Sequence, residues 1–309
     1  MQMNLPVLSF EEAVARMAAS PCAPHVGGYA AMYSSEWDAV VTDPRLMRVP
    51  VDDHLVHRGD GVFETVLFAG GRVYLMDAHL ARLRRSAERI GLPLAVPESR
   101  IAEILSQLFR VAGKETALAR ILAGRGPGGF SVDPAESVSP SLYIVVYPAG
   151  EPFMRKHPEG ARVIWSKIPP KPGALATVKT CNYLPNALMK AEASAAGAHF
   201  ALGVDEDGYV TESFTENVAG VDAAGRLVNP PTDRHLPGTT LSRVIALAGE
   251  AGMQVVTRKL TPSDLEAMSE ILVIGTTARV AQVTWLNGRT FSPGPAGRRL
   301  GKLLDADIG

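Results

Sequence analysis

The chain has 309 residues, 46% hydrophobic and 20% charged, with 31 basic side chains against 32 acidic ones. That composition excludes a disordered chain, and a net charge of −1 gives no pull toward nucleic acid or an anionic membrane. The two cysteines, Cys22 and Cys181, stand far apart and outside any CxxC pair, which excludes a disulfide framework or a thiolate zinc site and suits a reducing compartment, the cytoplasm.

The length predicts one large domain or two medium ones. No run of about 18 apolar residues is present, so no membrane span is expected. The start "LSFEEAVARMA" carries Glu11 and Glu12 where a secretory signal needs apolar residues. Ser9 followed by Glu12 predicts a capping box and a helix. "GVFETVLF" (61–68), the turn "AGG" and "RVYLM" (72–76) predict a hairpin. Asp77 is the expected cap of the next helix, which has Leu80, Leu83, Ala87 and Ile90 on one face and Gly91 as its stop. A second helix is predicted from Pro97 and Glu98. The strands "TALARILAG" and "SLYIVVYPA" should flank a Gly/Pro/Ser-rich loop.

Composition shifts at "GEPFMRKHPEGA". This predicts a smaller N-terminal α/β domain over 1–149, a linker over 150–161 and a larger C-terminal domain over 162–309. The second part should run as strand "RVIWSKI", a helix with Pro185 in its first turn, a four-strand meander, the helix "GTTLSRVIALAGEAG", the strand "MQVVTRKL" and the short helix "PSDLEAMS". The apolar stretch "EILVIGTTARVAQVTWL" and a last helix follow.

Lys179 is the only charge between Pro172 and Met189. A lysine buried there would have a depressed pKa and supply a free amine nucleophile; the ordinary alternative is a stem lying on apolar surface with its head in water. "LPGTTLSRV" places Thr239 and Thr240 at a helix start, either as an anion site or as plain N-caps. "IGTTARV" offers Gly-Thr-Thr at a strand end. Arg82 borders the apolar stripe of its helix and belongs either to a solvated basic face or to a phosphate contact. In "YVTESF", Glu212 shares the apolar row with Val210 and Phe214, so it must be paired or protonated. A protonated ring nitrogen or an arginine would serve. "GRGPGGF" (124–130) has neither P-loop nor Rossmann order; as a flexible active-site loop, its Arg125 could grip a carboxylate.

A lone lysine, a phosphate cradle, an inward carboxylate and an arginine are the parts of a pyridoxal phosphate site. With "HRGDGVFETVLFAGGRVYLMDAHLARLRRSA", "VKTCNYLPNALMKAEA", "DGYVTESFTENVAGV" and "LPGTTLSRV" in this order, the chain resembles the class IV, fold type IV pyridoxal-phosphate aminotransferases. These comprise branched-chain and D-amino-acid aminotransferases and aminodeoxychorismate lyases, and the plant-type D-amino-acid members are nearest in pattern.

The resemblance implies an α/β (α+β) two-domain enzyme with pyridoxal 5'-phosphate in the interdomain cleft. It implies Lys179 as the catalytic lysine that binds the cofactor aldehyde. Tyr183 would bind the phenolic oxygen and Glu212 the ring nitrogen, and Arg82, Thr239, Thr240 and Thr276 the phosphate. Thr277 would meet the substrate carboxylate. Phe63, Arg58, Arg120 and Arg125 are further substrate-side expectations, with His54 and His57 as wall or structural histidines. Glu64 looks like the transaminases. Expected partners are an amino acid, a 2-oxo acid and a second copy of the chain. The alternatives are an aminodeoxychorismate lyase and, more remotely, a non-catalytic cofactor- or nucleotide-binding protein.

Overall fold

The structure, a computed structural model, describes residues 5–309. Helix α1 (Phe10–Ala19) opens on the expected capping box: Ser9 Oγ accepts from Glu12 N at 3.2 Å, and Glu12 Oε2 from Ser9 N at 2.8 Å. None of its residues is buried. Then come β1 (Ala31–Ser34), β2 (Ala39–Val41), α2 (His54–His57), β3 (Gly61–Ala69), β4 (Arg72–Val73), α3 (Met76–Arg89), α4 (Glu98–Ala112), β5 (Ala117–Gly124) and β6 (Ser141–Pro148). The strands form one antiparallel sheet in the order β2-β1-β6-β5-β3-β4. The apolar faces of α3 (Leu80, Leu83, Ala87) and α4 (Ile101, Ile104, Leu105, Leu108) close over Val62, Val66, Ile121 and Ile144 of this sheet. Burying side chains of that size stabilises the layer by roughly 1.5–3 kcal/mol each.

Two local expectations are corrected here. The second arm of the hairpin is only Arg72–Val73 long, because the chain turns into α3 at Met76. Leu75, with φ 53°, occupies the cap position, and Asp77 sits inside the first turn, where its charge suits the helix N-terminus without capping it.

The second half holds α5 (Phe153–Lys156), β7 (Ala161–Trp165), α6 (Leu184–Ala195), β8 (Phe200–Val204), β9 (Val210–Ser213), β10 (Asn217–Val221), β11 (Leu227–Asn229), α7 (Thr239–Glu250), β12 (Val255–Thr257), α8 (Pro262–Glu266), β13 (Glu270–Gly275), β14 (Arg279–Leu286), β15 (Arg289–Thr290) and α9 (Pro295–Ile308). The sheet runs β12-β11-β10-β13-β14-β7-β8-β9, and β9 then meets β10 through the pair Glu212↔Asn217. Six strands therefore close on themselves around Val163, Leu202, Val218, Val273 and Ala281. The stretch "EILVIGTTARVAQVTWL" is a hairpin, β13 and β14, turning at residues 276–278.

Residues 150–161 are not a free tether. They contain α5, whose Phe153 and Met154 pack on the core inside the closed strands, and the first residue of β7. Another cluster joins Leu67, Ala69 and Leu118 of the first sheet to Leu241 and Val244 of α7, Leu272 and Ile274 of β13, and Leu300 and Leu304 of α9. The two sheets thus share apolar packing, and the cavity described next lies along that junction.

Candidate active site

A cavity of about 190 Å³ is lined by Phe63, Arg82, Arg120, Lys179, Tyr183, Glu212, Thr239, Thr240, Thr276 and Thr277, among others. A neighbouring cavity of about 280 Å³ is larger, but of the expected site residues it contains only Thr276 and Thr277.

Lys179 is held from its backbone outward. Its carbonyl accepts from Phe63 N at 2.9 Å, its N–H donates to Ser86 Oγ at 3.2 Å, and Cys181 N donates to Gly61 O at 2.8 Å. The segment is thereby stitched to the start of β3, with Thr180 bridging Val62. The side chain is 7% exposed, and Nζ lies 4.5 Å from the Phe63 ring centroid and donates to the Tyr183 hydroxyl at 3.2 Å. Burial, followed by the charge of Arg82, lowers the amine from 10.5 to about 8. About a tenth of such an amine is free at neutral pH, against about one part in three thousand for an ordinary lysine. Tyr183 stands at the N-cap of α6, just before Pro185, and burial and the charge of Glu212 push its hydroxyl up. Burial also pushes the Cys181 thiol up to about 12, which leaves it unreactive.

At the start of α7 the cap residue is Gly238, in extended backbone with no side-chain cap. A Cβ there would collide with Asn217 Oδ1, so glycine lets the helix start approach β10 closely. The two threonines are therefore not N-caps. Thr239 Oγ1 lies 3.3 Å from His79 Nε2, and Thr240 Oγ1 lies 3.4 Å from Thr276 Oγ1. Four N–H groups at a helix start lack intrahelical partners, and with these hydroxyls they form a cradle for an anion.

Arg82 is buried rather than on a solvated face. Its Nε and Nη2 grip Glu64 Oε1 and Oε2 at 2.7 and 2.8 Å, and Nη1 donates to Pro237 O at 3.0 Å. Glu64 is fully buried, and its Oε2 also meets His79 Nδ1 at 2.7 Å. Burial works to raise the Glu64 carboxyl, but the charge and hydrogen bonds of Arg82, with help from His79, hold it at about 2. The sequence alone did not point to His79 as a member of this network, and it offered Glu64 only as a residue that looks like the transaminases. A usable signal existed: His79 stands three residues before Arg82, so both lie on one face of α3.

Glu212 lines the cavity from β9, and Asn217 Nδ2 donates to its Oε2 at 3.4 Å. Burial raises its carboxyl, partly offset by the charges of His235, Lys171 and Lys179. Such a carboxylate gains from a cationic partner in the cavity. Glu216 lines the neighbouring cavity instead and is wrapped by the backbone and hydroxyl of Thr215. Lys171, also unforeseen, donates to Val178 O at 3.0 Å and lies 5.1 Å from the Tyr183 ring centroid; burial lowers its amine.

The expected arginines divide. Arg120 lines the cavity, 4.8 Å from the Phe63 ring centroid, and its buried Nε has no hydrogen-bond partner. Arg58 and Arg125 do not line it, which corrects both expectations. Arg58 donates to the carbonyls of His57, Phe130 and Ser131. Arg125 pairs with Asp60 at 2.9 Å and donates to the carbonyls of Ile90 and Gly91. The loop "GRGPGGF" is no open cradle either: a Cβ at Gly126 or Gly128 would collide with the backbone at Ser139 or Glu136. Its glycines serve close packing. His54 and His57 face backbone carbonyls, Gly129 O at 3.0 Å and Asp52 O at 3.4 Å, which is the structural reading.

The family model for amino-transferase class IV matches residues 61–286, a span that takes in every cavity residue named above. The chain belongs to the class IV aminotransferases. This class IV aminotransferase is thus a transaminating enzyme, and its fold is that of fold type IV. It is 36% identical to the chloroplastic D-amino-acid transaminase of Arabidopsis thaliana, over 98% of this chain and 81% of that protein. A putative branched-chain-amino-acid aminotransferase of Methanocaldococcus jannaschii is 30% identical, over 85% of this chain and 91% of the relative. Among solved structures, the PLP-bound form of a hypothetical aminotransferase from Mycobacterium tuberculosis superposes with a TM-score of 0.79 at 28% identity, covering 90% of this chain and 99% of that one.

Proposed function

We propose that this aminotransferase holds pyridoxal 5'-phosphate in the Lys179 cavity and moves the amino group of a D-amino acid or a branched-chain L-amino acid to a 2-oxo acid. The observation that carries this reading is Lys179 itself, a buried amine lowered to about 8 and facing Tyr183, Glu212 and the threonine cradle across one cavity. The residues fit the cofactor at three points: an uncapped helix start for a phosphate, a buried carboxylate short of a cation, and a free amine for an aldehyde.

When bound, pyridoxal phosphate supplies an electron sink for charge that develops at the substrate Cα. Thr239, Thr240 and Thr276, with the guanidinium of Arg82, hold the phosphate. Glu212 keeps a proton on the ring nitrogen, and Tyr183 binds the phenolic oxygen. Lys179 Nζ would take the proton from the substrate Cα as general base and, as general acid, deliver it to the aldehyde-derived carbon of the cofactor. Phe63 and Arg120 form the substrate wall, with Arg120 as the donor for a carboxylate and Thr277 at the cavity rim.

The chain divides, in this reading, at residues 150–161 into an N-terminal unit and a larger cofactor-holding unit. It works as a homodimer in the cytoplasm. Exposed Val51, Val56, Phe130, Val132 and Val138, all near the 124–140 loop, support a covered apolar surface; sedimentation at a monomer mass would rule out the dimer. The activity is tested with a panel of L- and D-amino acids, following loss of the visible absorption band of the bound cofactor. Conversion by amino acids and its reversal by 2-oxo acids is the expected result. Pyruvate release from aminodeoxychorismate without amino-group transfer would replace transamination with the lyase reaction.

A further inference from the structure

His79 is buried, lies outside the cavity lining, and joins two of its supports. Its Nδ1 is 2.7 Å from Glu64 Oε2 on β3, and its Nε2 is 3.3 Å from Thr239 Oγ1 at the start of α7. Glu64 is ionised, so Nδ1 carries a proton and donates to it. The state of Nε2 then decides what the Thr239 hydroxyl can do. A neutral ring presents a lone pair at Nε2, the threonine hydroxyl donates to it, and only oxygen lone pairs are left facing the cavity. An imidazolium donates from Nε2 to Thr239 Oγ1, and the hydroxyl proton turns to the cavity.

We propose that His79 is a positioning residue that takes up a proton from solvent when a phosphate group seats at the start of α7, and so turns the Thr239 hydroxyl into a phosphate donor. This rests on the pyridoxal phosphate reading of the cavity and adds a protonation step to it. The charges facing His79 give the sign. Burial is the largest influence and holds the ring below its ordinary value; on β3 Glu64 favours the imidazolium, while on its own helix Arg82, and from the segment after β7 Lys179, oppose it. Glu64 and Arg82 already neutralise each other as a bidentate pair. A phosphate dianion next to Thr239 adds the negative charge that tips the balance, and an imidazolium in turn strengthens the hold on the phosphate. Binding and protonation are therefore reciprocal.

The test uses the full chain, freed of cofactor and labelled with 15N in its histidine rings, observed by two-bond 1H–15N NMR at neutral pH. The His79→Gln variant identifies the His79 signals. The expected result is a neutral ring in the free protein and an imidazolium pattern after addition of pyridoxal phosphate, and also after inorganic phosphate, which carries no aldehyde. A ring that stays neutral while the visible absorption band of the cofactor reports it bound overturns the proposal and leaves the transaminase reading standing. Failure of that band to form overturns both. In parallel, His79→Gln should weaken pyridoxal phosphate about tenfold at neutral pH and flatten the pH dependence of its affinity between mildly acidic and mildly alkaline solution. Equal affinities and equal pH profiles for the two proteins would also overturn it.

Discussion

Two arginines line the cavity, Arg82 and Arg120, and their guanidinium groups are held differently. Arg82 is gripped by both oxygens of Glu64 and by Pro237 O, and Glu64 holds His79 as well. Arg120, by contrast, lies on the Phe63 ring with a buried Nε that nothing accepts from. A guanidinium fixed by three hydrogen bonds can sit beside a ligand without rearranging, which is what a constant group such as a phosphate requires. An unpartnered donor is costly until a ligand satisfies it, so Arg120 gains most from a ligand carrying a carboxylate.

Removing the lysine, rather than either arginine's hold, should have the largest effect. Lys179→Ala is expected to lower turnover by about 10⁴-fold and to abolish the cofactor band, read by absorbance; retention of the band would remove the basis of the assignment. Next comes the gripped arginine. Glu64→Gln leaves Arg82 buried without a counter-charge and should cost about 3–5 kcal/mol of stability in a urea titration. Because the Glu64 carboxyl is held at about 2 in the folded chain against 4.5 ordinarily, its stabilisation is complete above about 4.5 and is lost as pH falls toward 2. The variant should lack that part of the acid dependence.

The other arginine should respond differently. Arg120→Ala is expected to raise KM for the amino acid about 10- to 100-fold, with kcat far less altered and stability within about 1 kcal/mol of the parent. A fall in kcat with KM unchanged would contradict a binding role. The smallest effect on the reaction should come from Arg125→Ala. It removes a largely buried pair with Asp60 and the bonds to the carbonyls of Ile90 and Gly91, and should cost about 1–3 kcal/mol of stability while leaving KM unmoved in a steady-state assay.

These contrasts also mark what was legible in the sequence. The isolation of Lys179, the inward row holding Glu212 and the Gly-Thr-Thr start of α7 are local patterns, and the structure brings all three to one cavity. The partners of the arginines are not local. Arg58, Arg120 and Arg125 look alike in the chain, and only tertiary contacts separate the one with a free donor from the two held by carbonyls and Asp60. Glu64 reads as one more polar residue in an alternating strand until α3 brings His79 and Arg82 over it. The polar stretch 150–161 resembles a linker in composition, yet Phe153 and Met154 anchor it to the core.

The closure of β9 onto β10 rests on one residue pair, Glu212↔Asn217. The amide of Asn217 also reaches Leu236 O at 3.0 Å and His235 Nδ1 at 3.2 Å, immediately before the turn that starts α7. One short side chain thus spans from the carboxylate at one anchor to the turn leading into the other, and works as a gauge block between them. Lengthening it to glutamine would keep the chemistry of both anchors and push them apart, because Gly238 already lies against Asn217 Oδ1, a dimensional fault rather than a chemical one.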